Sequence, residues 1–301
     1  MNLKAIKKST SKIIIDPMWG SSSGYLTKIL AHSKMTILAL HQDRDVLFGG
    51  KRPEPLAQNL PELIAAMKKT KSDIGLVTDG DGDRVACVDS KGVFHSSQDI
   101  IPLLMLHLLD NRKWKGGVVK TNATTSVMEL IAKEYGLKIH ETPIGFKHVA
   151  DLMVKEDILI GGEESGGIGI KNYIPERDGV LMCLLLLELM AETKKTILQL
   201  FKELKTRFGD FYYDRIDLTY DSNKKEKIAK MLAEIASEVI NGQKVSKITR
   251  FDGTKFIFED HSWLLLRASG TEPVLRIYSE ARSKAEVKKF LEYGAGFINK
   301  I

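Results

Sequence analysis

Apolar and polar positions along the first two thirds of the chain form short β-branched runs that alternate with longer amphipathic stretches. Runs at 12–15, 35–40, 74–77 and 85–88 predict strands, and the stretches at 25–32 and 61–71 predict helices. The second helix opens on Pro61 and carries Leu63, Ile64 and Met67 on one face. A further series follows: helix 98–111, strand 117–120, helix 125–135, strand 137–140, a helix ending at 155, strand 158–160, and helices 180–192 and 197–208. Strands alternating with helices of this length predict helix-covered, largely parallel sheets, whose functional loops gather beyond the carboxyl ends of the strands.

The last third changes character. A strand is expected at 211–220, a helix at 224–240, two short strands around Asp252–Gly253, a strand at 263–266 and a final helix after Ser283. The fold expected is α/β: two consecutive α/β domains with mixed, largely parallel sheets, then a smaller α+β C-terminal domain. The polar turn after Val88 places the first boundary near 96, giving domains 1–96, 97–209 and 210–301.

Composition narrows the class. At 301 residues, 43% hydrophobic and 28% charged, the chain has the make-up of an ordinary globular protein with room for several cores. The net charge of +6 is spread as lysine pairs on predicted helix surfaces without interleaved aromatics, so neither a nucleic acid nor a membrane is expected as partner. Some positive charge suits a phosphorylated substrate. Cys87 and Cys183 sit in apolar company with no metal-type spacing and read as buried free thiols in a reducing, cytoplasmic setting. The longest apolar run, 180–187, falls far short of a membrane span.

Three loops carry the candidate chemistry. Asp79-Gly80-Asp81-Gly82-Asp83-Arg84 follows directly on a strand. Glycines there permit the turns that let alternate carboxylates converge, and three such carboxylates repel unless a divalent ion neutralises them. Magnesium (Mg2+), a hard cation that takes few protein oxygens, fits best. A calcium EF-hand is excluded by Arg84 at its sixth position and Ser90 at its twelfth. The Gly/Ser segment 20–24 lacks both nucleotide-loop spacings and reads as a plain turn. Gly161 to Gly167 combines four glycines with Glu163, Glu164 and Ser165, groups that suit vicinal sugar hydroxyls. Arg267-Ala268-Ser269-Gly270-Thr271, with Arg276 beyond, makes a compact oxyanion cradle.

Together these loops resemble the α-D-phosphohexomutases, the phosphoglucomutase and phosphomannomutase family, as do Asp16-Pro-Met18, Phe48-Gly-Gly50, Thr142-Pro-Ile-Gly-Phe-Lys147 and Pro175-Glu-Arg-Asp-Gly179. The resemblance covers nearly the whole chain. It implies an isomerase that moves a phosphoryl group between O1 and O6 of a hexose through a phosphoserine and a bisphosphorylated intermediate. By the same resemblance Asp79, Asp81 and Asp83 would hold Mg2+, and Arg84 and Lys147 would act at the reacting groups. Glu163 and Ser165 would grip the sugar. Arg267, Ser269, Gly270, Thr271 and Arg276 would hold the phosphate that is not reacting. Glu164 looks more like the glucose branch than the mannose or glucosamine branch.

One departure is large. The family's Thr-Ala-Ser-His-Asn-Pro type loop, which carries the phosphorylated serine on an N-terminal domain, does not occur in these residues. The chain therefore reads as the second to fourth domains of a four-domain enzyme, inactive alone and completed by a serine domain as partner. The alternatives are a non-catalytic sugar-phosphate-binding protein or one part of a split enzyme. A phosphatase with an aspartate nucleophile would leave the sugar and phosphate loops unexplained.

Overall fold

The computed structural model describes residues 1–270 and 272–297. The chain divides into two compact units, one of residues 1–124 and 131–204, the other of 125–130 and the chain from Lys205 onward.

The first unit contains two mixed sheets. It opens on a short helix, α1 (Leu3–Lys8), whose free amides are capped where Asn2 Oδ1 accepts from the Ala5 amide at 3.1 Å; the sequence pattern carries no signal for this helix. Then follow β1 (Lys12–Asp16), α2 (Tyr25–Ile29), β2 (Thr36–Ala39), α3 (Pro61–Thr70), β3 (Ile74–Thr78), β4 (Val85–Asp89) and β5 (Phe94–His95). The sheet order is β2-β1-β3-β4-β5. β1 is parallel to both β2 and β3, whereas β4 returns antiparallel to β3, because the chain between them is a tight hairpin connection with no helical crossover.

The second sheet is built from α4 (Ser97–Leu106), which ends in a π-type turn at His107–Asn111, then β6 (Gly117–Thr121), α5 (Val127–Tyr135), β7 (Ile139–Thr142), α6 (Phe146–Lys155), β8 (Ile158–Gly162) and β9 (Ile168–Ile170). Its order is β7-β6-β8-β9, parallel except at β9. β9 is too short to show as a period in the sequence. The long apolar helix α7 (Gly179–Thr193) packs on β3 and β4, and α4 packs on β4, β5 and β8, so these helices join the two sheets. α8 (Ile197–Phe208) follows, burying Leu200, Phe201 and Leu204 on one face.

Cys87 on β4 and Cys183 on α7 are both buried free thiols, and burial pushes the pKa of each upward. Among the described residues no helix is long and apolar enough to cross a membrane.

The second unit holds an antiparallel six-stranded sheet of order β10-β15-β14-β13-β12-β11. Its elements are β10 (Tyr212–Thr219), α9 (Lys225–Glu234), β11 (Val239–Ile240), β12 (Gln243–Thr249), β13 (Thr254–Phe258), β14 (Trp263–Ala268), β15 (Val274–Ala281) and α10 (Lys284–Ala295). A core of Phe256, Leu264, Leu266, Ile277 and Phe290 lies between sheet and helices.

Two expectations fail here. The helix expected to reach 240 stops at Glu234, because Asn241 and Gly242, with φ of 50° and 82°, form a two-residue turn pairing Ile240 with Gln243. Asn-Gly is the favoured sequence for such hairpins, and Ile240 is drawn into the sheet edge fully buried. No strand is expected between 266 and the final helix, yet 274–281 form β15, which pairs with β10 along its whole length and with β14 from Leu275 onward.

Candidate functional site

The strand β3 is buried at every position, and Asp79 comes directly after it, only 3% exposed. A carboxylate there must find hydrogen-bond donors. Its Oδ1 accepts the amides of Asp83 at 3.0 Å and Arg84 at 3.1 Å, which wraps the loop around its first side chain. Gly82 supplies the left-handed turn, at φ 77°. The Gly/Ser segment braces the loop from outside: the Ser21 amide donates to the Gly80 carbonyl at 2.9 Å and Ser21 Oγ to the Asp81 carbonyl at 2.6 Å. The polar groups of Ser21 are thus engaged with protein, whereas Ser23 Oγ is buried with no hydrogen-bond partner.

Asp79 and Asp83 lie close enough to feel each other's charge. Burial, and then the charge of Asp79, push the Asp83 carboxyl upward, against the pull of Arg177 and Arg84. Arg84 Nε stands 3.4 Å from Asp79 Oδ2, and Arg177 Nη2 lies 2.7 Å from Asp83 Oδ2. Asp81 is exposed. Among the described residues no group of three or more His, Cys, Asp or Glu side chains is arranged to hold a metal. The expected convergence of three carboxylates is therefore not what the loop adopts: Asp79 Oδ1 turns to backbone amides, and guanidinium groups do the neutralising. The donor chemistry still suits a hard cation in part, since Asp83 Oδ1 is buried with no hydrogen-bond partner beside a second carboxylate.

Glu163 occupies the corresponding place after β8, 4% exposed. Its amide donates to the Gly167 carbonyl at 2.9 Å and closes the turn toward β9. Its Oε1 accepts the Gly145 amide at 3.0 Å, and its Oε2 lies 3.8 Å from Arg177 Nη1. Burial, with the neighbouring charge of Glu164, raises this carboxyl to about 7, although Arg177, the Gly145 amide and Arg84 oppose the shift. Glu164 is anchored where Ser97 Oγ donates to its carbonyl at 2.6 Å and Thr121 Oγ1 to its carboxylate at 3.3 Å. Ser165 is half-buried in the turn, and Lys147 is exposed in the first turn of α6.

The two loops touch. The Val85 amide donates to the Gly166 carbonyl at 3.1 Å, and Arg84 bridges Gly167 in antiparallel fashion. The Gly179 amide donates to the Gly82 carbonyl at 3.1 Å, so the segment opening α7 is the third wall. Two residues here escape sequence reasoning. Arg177 lies in a recognisable motif without a role there, and its partners cannot be read from its neighbours. Lys120, fully buried near the end of β6, aligns with Glu141 and Gly162, and a lysine inside a β-branched strand is the signal that could have found it.

The cradle in the second unit is a strand pair opening into a loop. Arg267 on β14 faces Arg276 on β15 in register, so both stems rise from one face of the sheet. Burial alone would lower the Arg267 pKa, but its Nε donates to Asp252 Oδ1 at 2.8 Å and the net shift is upward. Arg276 Nη2 donates to Glu272 Oε2 at 3.3 Å, while its Nε has no hydrogen-bond partner. The Ser269 amide donates to the Val274 carbonyl at 2.8 Å, and Gly270 is exposed, its carbonyl accepting Lys225 Nζ at 3.0 Å. Thr271 lies outside the described residues.

Three family models match the chain: phosphoglucomutase/phosphomannomutase alpha/beta/alpha domain II over residues 1–92, alpha/beta/alpha domain III over 96–208, and the C-terminal domain over 221–294. A phosphoglucomutase/phosphomannomutase of Thermococcus kodakarensis is 32% identical, over 98% of this chain and 62% of its own length. A phosphoglucosamine/phosphogalactosamine mutase of Sulfurisphaera tokodaii is 30% identical, over 97% of this chain and 64% of its own. The solved structure of a Thermus thermophilus protein named as a phosphomannomutase superposes with a TM-score of 0.86 at 31% identity, over 99% of this chain and 63% of that one. The chain thus spans about three-fifths of the length of the curated relatives it matches.

Proposed function

From the premise that the chain belongs to the phosphoglucomutase/phosphomannomutase family, we propose that it serves a phosphohexomutase reaction, the interconversion of hexose 1-phosphate and hexose 6-phosphate in cytoplasmic carbohydrate metabolism, with glucose as the favoured sugar. The observation that supports this most is the junction of the two loops. A buried, paired-carboxylate turn with two guanidinium groups abuts a glycine-rich turn whose Glu163 is held near neutrality.

In this reading Glu163, ionised above about pH 7, accepts the sugar hydroxyls, with Ser165 beside it. Gly166 and Gly167 let Arg84 and the Arg177 stem pack close against this turn. Arg84 places fixed positive charge where the transferred phosphoryl becomes most negative, and Lys147 contributes a second cation on α6. Asp79 and Asp83, with Asp81, are the residues that would hold Mg2+, which when bound neutralises phosphoryl charge. Arg267, Arg276, Ser269, Gly270 and Thr271 take the phosphate that is not reacting.

A phosphoserine from a domain outside these 301 residues would carry the phosphoryl group between O1 and O6. Calorimetric titration with glucose 1-phosphate, mannose 1-phosphate and glucosamine 1-phosphate, with and without Mg2+, tests the reading beside a coupled mutase assay. Binding without turnover by this polypeptide is the expected result, with glucose 1-phosphate tightest. Turnover by the 301 residues alone would show that the phosphoryl carrier lies within them, and absence of binding by every sugar would remove the assignment.

A further inference from the structure

The side chain of Arg177 joins the two loops of the candidate site. We infer that Arg177 is the internal countercation of that site, a positioning residue that holds Asp83 and Glu163 with one guanidinium and must yield Asp83 when a divalent cation binds there. This rests on the reading of Asp79 to Asp83 as a cation loop.

The geometry supports it in three ways. Nη2 lies 2.7 Å from Asp83 Oδ2 while Nη1 lies 3.8 Å from Glu163 Oε2, so a single charge faces carboxylates from two different loops. The path of the stem is built for it: a Cβ on Gly167 would collide with Arg177 Cδ, and the guanidinium carbon passes 5.6 Å from the centre of the Phe146 ring. The arrangement is also incomplete. Asp83 Oδ1 and Arg177 Nε are both buried without hydrogen-bond partners, although Arg84 Nε stands 4.0 Å from that Oδ1 and the Glu176 carboxylate 3.6 Å from that Nε. An acceptor and a donor left over in one place mark a site poised to exchange its partners, because a structural ion pair is ordinarily satisfied on both sides.

A divalent cation at Asp79 and Asp83 and the Arg177 guanidinium compete for the same carboxylate. Release of Arg177 from Asp83 would leave it to Glu163, so occupation of the cation loop reaches Glu163 through this side chain, beside the backbone contacts of Val85 and Arg84 with the same turn. Loss of the guanidinium should therefore strengthen cation binding, an effect that general loosening of the fold does not produce.

The test is titration of Mn2+ alone into the whole chain and into Arg177→Gln, Arg177→Lys, Gly167→Ala and Asp83→Asn. Arg177→Gln is expected to bind Mn2+ about tenfold more tightly, the effect of one like charge removed from within a few ångströms. Arg177→Lys, which keeps the charge, should stay near the parent. Gly167→Ala displaces the stem and should shift affinity in the same direction as Arg177→Gln, and it serves should the first variant not fold. Unchanged or weaker binding in the folded variants, with Asp83→Asn abolishing binding, overturns the inference and leaves the cation loop standing. Binding that ignores Asp83→Asn, or is absent throughout, overturns the cation-loop reading and the inference with it.

Discussion

The Gly145 amide donates to Oε1 of Glu163 at 3.0 Å, so the turn that opens α6 and the turn that follows β8 share one buried carboxylate. Burial sets the electrostatics of this pair more than the hydrogen bond does, because the carboxyl is raised from 4.5 to about 7. A raised carboxyl means that the folded state binds the proton more tightly than the unfolded chain. The contribution of this carboxyl to stability is then greatest below about pH 4.5 and is lost as pH rises to 7, and the full cost above that is about 3 kcal/mol. Glu163→Gln keeps an acceptor for Gly145 and has nothing to ionise. It should melt several degrees higher than the parent at pH 8 and near the parent at pH 4.5, and a variant less stable at both values would contradict the assignment.

Gly179 tests the tightness of the junction. A Cβ at this position would stand 2.5 Å from the Arg84 carbonyl and 2.8 Å from the Gly82 carbonyl, both backbone atoms that cannot swing aside. Gly179→Ala should cost about 2 kcal/mol in urea unfolding by forcing the opening of α7 away from the aspartate loop. Gly270→Ala meets nothing within 4 Å and should stay within about 0.5 kcal/mol of the parent. Equal midpoints for the two variants would show that the junction is slack.

What can be read from the chain follows from how local each signal is. β1, β3, β6 and β8 announce themselves because each is a β-branched run buried on both faces. The loops at 161–167 and 267–270 are legible because glycines and hydroxyls cluster within a few residues. Arg177 is not, since its carboxylate partners come from other loops and only the folded chain brings them together. Asn241-Gly242 is a legible turn signal, but the amphipathic period before it overrides it. The aspartates stand out as residues, yet nothing in the sequence says that Asp79 turns its Oδ1 to backbone amides.

Glu188 supplies a stability prediction away from the site. Burial would raise its carboxyl, but His107 Nε2 at 3.1 Å, the Arg112 guanidinium and the Asn2 amide hold it down to about 2. With the folded value below the unfolded one, its contribution is present above about pH 4.5 and is lost as pH falls through 2. Glu188→Ala strands His107 and Arg112 and should cost about 3 kcal/mol at pH 7. The gap from the parent should narrow as pH falls toward 3. A constant gap across that range, followed by chemical denaturation, would separate lost packing from lost charge.

The in-register pair Arg267 and Arg276 gives the phosphate loop its own test. Arg267→Met removes one of two guanidinium groups on the same face of the sheet and should weaken glucose 1-phosphate binding about tenfold or more in calorimetry. It also removes the 2.8 Å partner of Asp252, and the loss of that ion pair by itself disturbs the loop. The double variant Arg267→Met with Asp252→Ala separates the two effects. If the guanidinium contacts phosphate, affinity stays low in the double variant. If the loss came from the broken Asp252 ion pair, affinity recovers, and the assignment of phosphate binding to this strand pair fails.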